Sequence, residues 1–184
     1  MFCLVLQFSV EDVSDQTLLS QEEFDLIMDR EGKDIFWNQY FEPLILENQN
    51  VEYRGFWTKD RKTITTLGEM RFGDGSLYRG KVEDNDLNGR GLLNYTDGNV
   101  YLGMFRDGRC NGYGIFFDQS DNSIYKGEWI NDTQHGYGEE YWDDKEVLKY
   151  EGNFVRGNKT GQGRLELKNG DFYQGDFIDG TFQG

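Results

Sequence analysis

Proline occurs once in the 184 residues, at Pro43, and histidine once, at His135. With 24 glycines, one proline excludes a collagen-type repeat. With one histidine and scattered partners, neither a Ser-His-Asp triad nor a His-based metal cluster is expected. Cysteine is scarce as well. Cys3 and Cys110 are too few for a disulfide framework and read as free thiols of a reducing compartment. Basic residues are outnumbered, 19 Lys and Arg against 34 Asp and Glu, for a formal net charge of -15. That excludes nucleic-acid binding, which needs clustered cations to neutralise phosphates, and disfavours docking on anionic lipid. No hydrophobic run is long enough to span a bilayer. The apolar opening, Met1 to Val10, has no preceding positive charge and no small-x-small cleavage site, and it meets Glu11 and Asp12 at once. It reads as a buried or partner-facing strand. Three N-x-Thr triplets, at Asn94, Asn131 and Asn158, read as coincidences of an Asn- and Thr-containing repeat.

What the chain has in excess is aromatic rings. They make up 16% of the residues in a chain only 36% hydrophobic. Mean hydropathy is -0.77, yet 14 Phe, 11 Tyr and 4 Trp argue against disorder. Composition changes near residue 52. Residues 1–52 carry 12 acidic and 2 basic residues, leaving 22 and 17 for residues 53–184. Gly32 is the only glycine before residue 53. The chain therefore divides into an acidic, aromatic-rich segment, 1–52, and a glycine-punctuated array, 53–184. In the first, Ser20-Gln21-Glu22-Glu23 has the form of a capping box, with Phe24, Ile27 and Met28 following on one helical face and Gly32 ending the helix. A second short helix is expected over about residues 33–41, with Phe36, Trp37, Tyr40 and Phe41 apolar and Pro43 stopping it.

The array shows itself when Tyr-x-Gly is marked: Tyr53, Tyr78, Tyr101, Tyr125, Tyr150 and Tyr173, at steps of 25, 23, 24, 25 and 23. Two residues after each glycine stands a large apolar residue: Trp57, Val82, Phe105, Trp129, Phe154 and Phe177. Gly-x-Gly follows at Gly89/Gly91, Gly112/Gly114, Gly136/Gly138 and Gly161/Gly163; in the first unit Thr66 replaces the first glycine and Gly68 is the second. Asp74-Gly75, Asp97-Gly98 and Asn169-Gly170 mark turns. In Tyr101-x-Gly103-x-Phe105 the ring, the glycine and the ring share one strand face. A glycine between bulky neighbours leaves a gap over which a ring from the adjacent strand can lie. The expected fold is mostly β: an elongated single-layer antiparallel β-hairpin solenoid, one hairpin per unit, each held by its neighbours.

These residues resemble the MORN repeat family, whose unit is Tyr-x-Gly-x-Trp/Phe, Gly-x-Gly and a glycine turn. The resemblance covers residues 53–184, about seventy percent of the chain, with a degenerate first unit and an incomplete sixth. It implies a twisted single-layer sheet and the family's roles: scaffolds and adaptors in cytoskeletal, ciliary and membrane-junction assemblies, or regulatory segments of enzymes such as phosphatidylinositol phosphate kinases. It also carries a contested implication of phospholipid binding.

Sites of chemistry are absent at the motif level. Asp84-Asn85-Asp86-Leu87-Asn88-Gly89 begins like an EF-hand loop, but the twelfth position is Tyr95, without the bidentate glutamate. It reads as a repeat turn. Gly152 to Thr160 misses a P-loop because Asn158 separates Gly157 from Lys159. His135 reads as a half-exposed turn residue, Cys110 as unreactive despite Arg109, and Asp143-Asp144 as a solvated loop. The one basic cluster, Arg54, Lys59, Arg61 and Lys62, meets either an acidic lipid or partner, or the chain's own acidic segment; the internal partner is favoured. No catalytic, cofactor or metal site is expected. A single-layer sheet cannot cover both faces, so a protein-docking face is expected, with candidate anchors Tyr78, Tyr101, Phe105, Tyr125, Trp129, Tyr150, Phe154, Tyr173 and Phe177. The competing reading is that these rings form the core inside the sheet. Gly184 aligns with Gly112, so the sixth unit lacks its second strand and the edge invites β-augmentation by a partner or a second copy, unless the chain is trimmed. The function expected is a non-enzymatic scaffold or adaptor in a cytoplasmic cytoskeletal or ciliary (axonemal) assembly. The alternatives are the regulatory region of an enzyme or a peripheral phosphoinositide binder.

Overall fold

The structure, a computed structural model, describes residues 44–46, 50–57, 64–142 and 147–183, with side chains described over 50–54, 68–142 and 148–183. The expected opening strand and the two helices of the acidic segment lie outside these residues. So do Cys3, Lys59, Arg61, Lys62 and the Asp143-Asp144 loop.

The described residues form one open antiparallel sheet of 13 strands in sequence order. After β1 (Leu44–Leu46) the strands pair off, one hairpin per unit: β2 (Val51–Trp57) with β3 (Ile64–Phe72), β4 (Leu77–Glu83) with β5 (Asp86–Asn94), and β6 (Val100–Arg106) with β7 (Arg109–Asp118). Then come β8 (Ser123–Ile130) with β9 (Thr133–Trp142), β10 (Val147–Val155) with β11 (Asn158–Leu167), and β12 (Phe172–Ile178) with β13 (Thr181–Phe182). The sixth unit thus has two residues of a second strand, a correction to the expectation of none.

Two kinds of turn alternate. Between units, Asp74, Asp97 and Asn169 accept a hydrogen bond from the backbone N–H two residues on, at 2.8, 3.0 and 3.0 Å, and Gly75, Gly98 and Gly170 take φ of 95, 92 and 91°. These are the turns read from the sequence. Within units, Asp84-Asn85, Asp107-Gly108, Asn131-Asp132, Arg156-Gly157 and Asp179-Gly180 each have both central φ positive, the type I′ geometry that matches strand twist. The EF-hand look-alike is therefore the β4–β5 turn.

The hairpins of units one to five each carry a large bulge at the same place. Between Gly80 and Val82 stands only Lys81, while Asn88, Gly89 and Arg90 stand opposite, between Leu87 and Gly91. The first glycine of Gly-x-Gly sits in this bulge, and Gly89, Gly112, Gly136 and Gly161 have φ of 82, 104, 61 and 62°. The second glycine does something different. It pairs with the glycine of Tyr-x-Gly, so that eleven glycines form an unbroken row across the sheet: 55, 68, 80, 91, 103, 114, 127, 138, 152, 163 and 175.

The repeat tyrosines lie over that row. A Cβ on Gly91 would stand 2.2 Å from the Tyr78 ring, and one on Gly103 would stand 2.5 Å from the Cα of Gly114. Each ring covers the glycine of its own strand and the one opposite, where the sequence suggested only an adjacent-strand ring. Each hydroxyl donates to the carbonyl exposed at the bulge, three residues on: Tyr78 to Lys81 at 2.6 Å, Tyr101 to Met104 at 3.0 Å, Tyr125 to Glu128 at 3.0 Å, Tyr150 to Asn153 at 3.2 Å and Tyr173 to Asp176 at 3.2 Å. Glycine, ring and bulge act as one device in units two to five.

Candidate functional site

Residues that pair across strands share a face, and the register divides the sheet into a ring face and a charged face. On the ring face, edge-to-face contacts run from Tyr78 to Phe105, Tyr101, Trp129, Tyr125, Phe154, Tyr150, Phe177 and Tyr173 in turn. Centroids are 5.0 to 5.4 Å apart and planes 78 to 89° apart. Contacts alternate within a unit and between units, so each junction from unit two to unit six is bridged by a ring pair.

The nine candidate anchors all stand in this ladder. Tyr78, Tyr101, Phe105, Tyr125, Trp129, Tyr150, Phe154 and Phe177 are buried and Tyr173 half-buried. Their places are those of the core inside the sheet, where a ring holds its neighbours and shows little surface. Two of them, Tyr101 and Trp129, also line an open cleft of about 390 Å³ on the ring face. Phe116 and Tyr95 complete its aromatic wall, and Asp97 and Asp132 stand on its rim.

The other candidates fall as follows. Cys110 is buried beside that cleft, and burial, with Asp132 adding to it, pushes its thiol up to about 12. Such a thiol is inert at neutral pH. Half-buried His135 lies in β9, three residues past the Asn131-Asp132 turn, and not in a turn as expected. Arg54 pairs with Glu52 at 3.1 Å, an acidic partner from the preceding segment, as the internal reading has it. Lys159, from the P-loop near miss, is a structural cation: its ammonium meets Glu140 at 2.6 Å and sits 4.8 Å from the centroid of the Trp142 ring and 5.2 Å from that of Tyr150. Among the described residues no group of three or more His, Cys, Asp or Glu is placed to hold a metal ion. None of their helices is long and apolar enough to cross a membrane.

The charged face carries ion pairs between strands and along them. Arg79 meets Glu69 at 2.9 Å, and Lys149 bridges Glu139 at 3.2 Å and Glu151 at 2.6 Å. Burial works against both charges in the second group. The Tyr141 hydroxyl and Lys149 nevertheless hold the Glu139 carboxyl below its usual range, and the two glutamates raise Lys149. At the hairpin-turn edge of this face the sequence changes along the array. The residue ending each first strand is Glu83, Arg106, Ile130, Val155 and Ile178 in successive units. The three aliphatic ones are 46, 46 and 57% exposed. Tyr113 and Tyr137, the central residues of Gly-x-Gly in units three and four, lie beside them at 39 and 54%. Sequence reasoning missed this stripe. The signal was the switch from charged to aliphatic at one repeat position, visible only once the units are aligned.

A sheet of one hairpin per unit, closed on its ring face and interrupted by one row of glycines, defines a β-hairpin repeat protein. A family model described as MORN repeat matches residues 78–100, 101–122, 125–147 and 150–172. The chain belongs to the MORN repeat family. The structure places Tyr53 and Tyr173 of the flanking units over glycines in the same way. Among solved structures, the chain is similar to the TCP domain of Drosophila melanogaster SAS-4 in complex with a proline-rich motif of Ana2. That match has 10% identity and a TM-score of 0.29 over 74% of this chain and 90% of that one. The TCP10c domain of Drosophila melanogaster Sas-4 matches with 13% identity and a TM-score of 0.26 over 62% and 98%. Likeness of this order carries no argument about this chain.

Proposed function

We propose that the protein is a non-enzymatic scaffold or adaptor whose array docks protein partners within a cytoskeletal or ciliary assembly of the cytoplasm. The observation that carries the docking is the exposed stripe of Ile130, Val155, Tyr113 and Tyr137. It stands toward the hairpin-turn edge of a face that carries ion pairs such as Arg79 with Glu69 and buries its other apolar row, Leu92, Leu102 and Ile115. Equivalent residues of successive units stand two strands apart, roughly 9.5 Å, a spacing suited to a partner that meets several units at once. Family membership supports the assembly class. The net charge of -15 weighs against a peripheral phosphoinositide binder.

The test is co-purification from native cells with the wild-type chain and with the double variant Ile130→Glu/Val155→Glu. A discrete set of cytoskeletal proteins retained by the first and lost by the second, with thermal unfolding unchanged, is the expected result. Retention by both, or turnover of a substrate by the chain itself, contradicts the proposal. Flotation with phosphoinositide vesicles at physiological salt separates the lipid reading.

A further inference from the structure

We infer that the ring-face cleft over units three and four is a receptor for a lysine side chain of a partner's extended segment. The inference rests on the docking reading above and names one contact within it.

The argument starts from the chain's own Lys159. In unit five the residue paired with Phe154 is Lys159. Its ammonium lies over Trp142, Tyr150 and Phe154, with centroids 4.8, 5.2 and 5.8 Å away, and meets the Glu140 carboxylate at 2.6 Å. The ring face thus already holds one ammonium between aromatic faces and a carboxylate. In unit three the same register position, paired with Phe105, is Cys110. The surrounding rings are conserved in kind. Tyr101 stands where Tyr150 does and Phe105 where Phe154 does. Tyr95, two residues past the partner of Tyr101, stands where Trp142 does, two residues past the partner of Tyr150. The occupant has changed. A cysteine side chain is much shorter than a lysine, and the space above it is the cleft.

Charge remains suited to a cation. Glu140 has no acidic counterpart at Leu93, but Asp132 and Asp97 enter the rim from two turns. One oxygen of Asp132 accepts the Cys110 backbone N–H at 2.7 Å, which fixes the carboxylate beside the position the missing lysine would have filled. Asp97 is held by Asn99 through both oxygens at 3.0 and 3.1 Å. The rings are equally fixed: Trp129 is edge-to-face with Tyr101 at 5.2 Å and with Phe116 at 5.8 Å, and its indole N–H donates to the Gly114 carbonyl at 3.4 Å. A preorganised aromatic wall with carboxylates at its rim recognises an ammonium on a flexible stem, the stem lying on the rings and the charge at the rim. Thr133, at the hairpin-turn edge, lines the cleft and pairs with Ile130 of the exposed stripe. A partner lying along that edge reaches both.

The test uses the 184-residue chain and the peptide acetyl-Gly-Gly-Lys-Gly-Gly-amide at 150 mM salt, followed through the Trp129 indole and Cys110 amide resonances. The expected result is a saturable millimolar isotherm at these two signals, absent for the norleucine peptide. Asp132→Asn, tolerated at the positive φ of the turn, should weaken binding about threefold or more. Cys110→Lys should rebuild the unit-five arrangement and abolish peptide binding. Should that variant not fold, Asp132→Asn and the norleucine control still decide. Equal shifts with norleucine, or binding indifferent to Asp132→Asn, overturn the inference. Lysine-peptide shifts spread over the acidic surface without saturation at Trp129 overturn it too. These outcomes leave the scaffold proposal standing, because that depends on the Ile130 and Val155 stripe.

Discussion

The ring face and the charged face of the same strands obey different rules. On the ring face almost every position is repeated: tyrosine, glycine, large apolar residue, glycine. Val82 stands in place of a ring, and the position paired with the large apolar residue changes from unit to unit, Ile64, Leu87, Cys110, Gln134, Lys159 and Phe182 in turn. On the charged face equivalent positions vary freely among Glu, Arg, Ile and Val. The contrast teaches where the fold is specified. The ring side carries the same device in successive units, whereas the other side buries a local row, Leu92, Leu102, Ile115 and Phe117, and is left for variation at the strand ends.

Breaking the ring face should have the largest effects. Gly103→Val puts a side chain 2.5 Å from the Gly114 backbone and displaces the Tyr101 ring. It should cost more than about 4 kcal/mol, measured by urea unfolding. Gly170→Ala, in a between-unit turn where a Cβ would meet nothing within 4 Å, should cost about 1 kcal/mol from its positive φ alone. Alkaline pH attacks the same face. Burial raises Tyr78, Tyr95, Tyr101 and Tyr125 above the ordinary tyrosine range. Above about pH 10 the unfolded chain releases protons the folded chain keeps, so stability falls as pH rises. Tyrosinate absorbance should therefore appear together with loss of the circular dichroism signal. Titration of these tyrosines in an intact fold near their ordinary value would contradict the burial account.

A smaller effect isolates the hydroxyl. Tyr125→Phe keeps the ring over Gly127 and Gly138 and removes the donor to the Glu128 carbonyl, which should cost about 1–2 kcal/mol in thermal unfolding. The smallest effect belongs to the charged face. Glu139 is held below its unfolded value, so its contribution is present above about pH 4.3 and disappears as pH falls through the folded value. Glu139→Gln should flatten that acid limb slightly, as pH-dependent unfolding can check.

Much of this contrast was legible in the sequence. The spacing of Tyr-x-Gly and Gly-x-Gly sufficed for an antiparallel single-sheet repeat because period-two placement puts ring, glycine and ring together whatever the tertiary context. The roles of the two glycines in Gly-x-Gly were not legible. Gly112 and Gly114 look alike in sequence, and only the register shows that one bends the bulge while the other admits Tyr101. The type I′ turns were missed at Asp107-Gly108 and Asp179-Gly180, although the dipeptide was there, because the repeat was read from its other turn. The docking anchors were placed on the rings because aromatics were abundant. Ring contacts across unit junctions bury them instead, and the exposed Ile130 and Val155 stood out only against Glu83 and Arg106.

Phe154 and Val155 are neighbours in β10 that project to opposite faces, the first 1% exposed and the second 46%. Thermal unfolding of Phe154→Ala and Val155→Glu therefore compares the two faces at one point of the chain. The account predicts a loss of about 3–5 kcal/mol for the first and a change within about 0.5 kcal/mol for the second. Comparable losses for both, or a neutral Phe154→Ala, would contradict it.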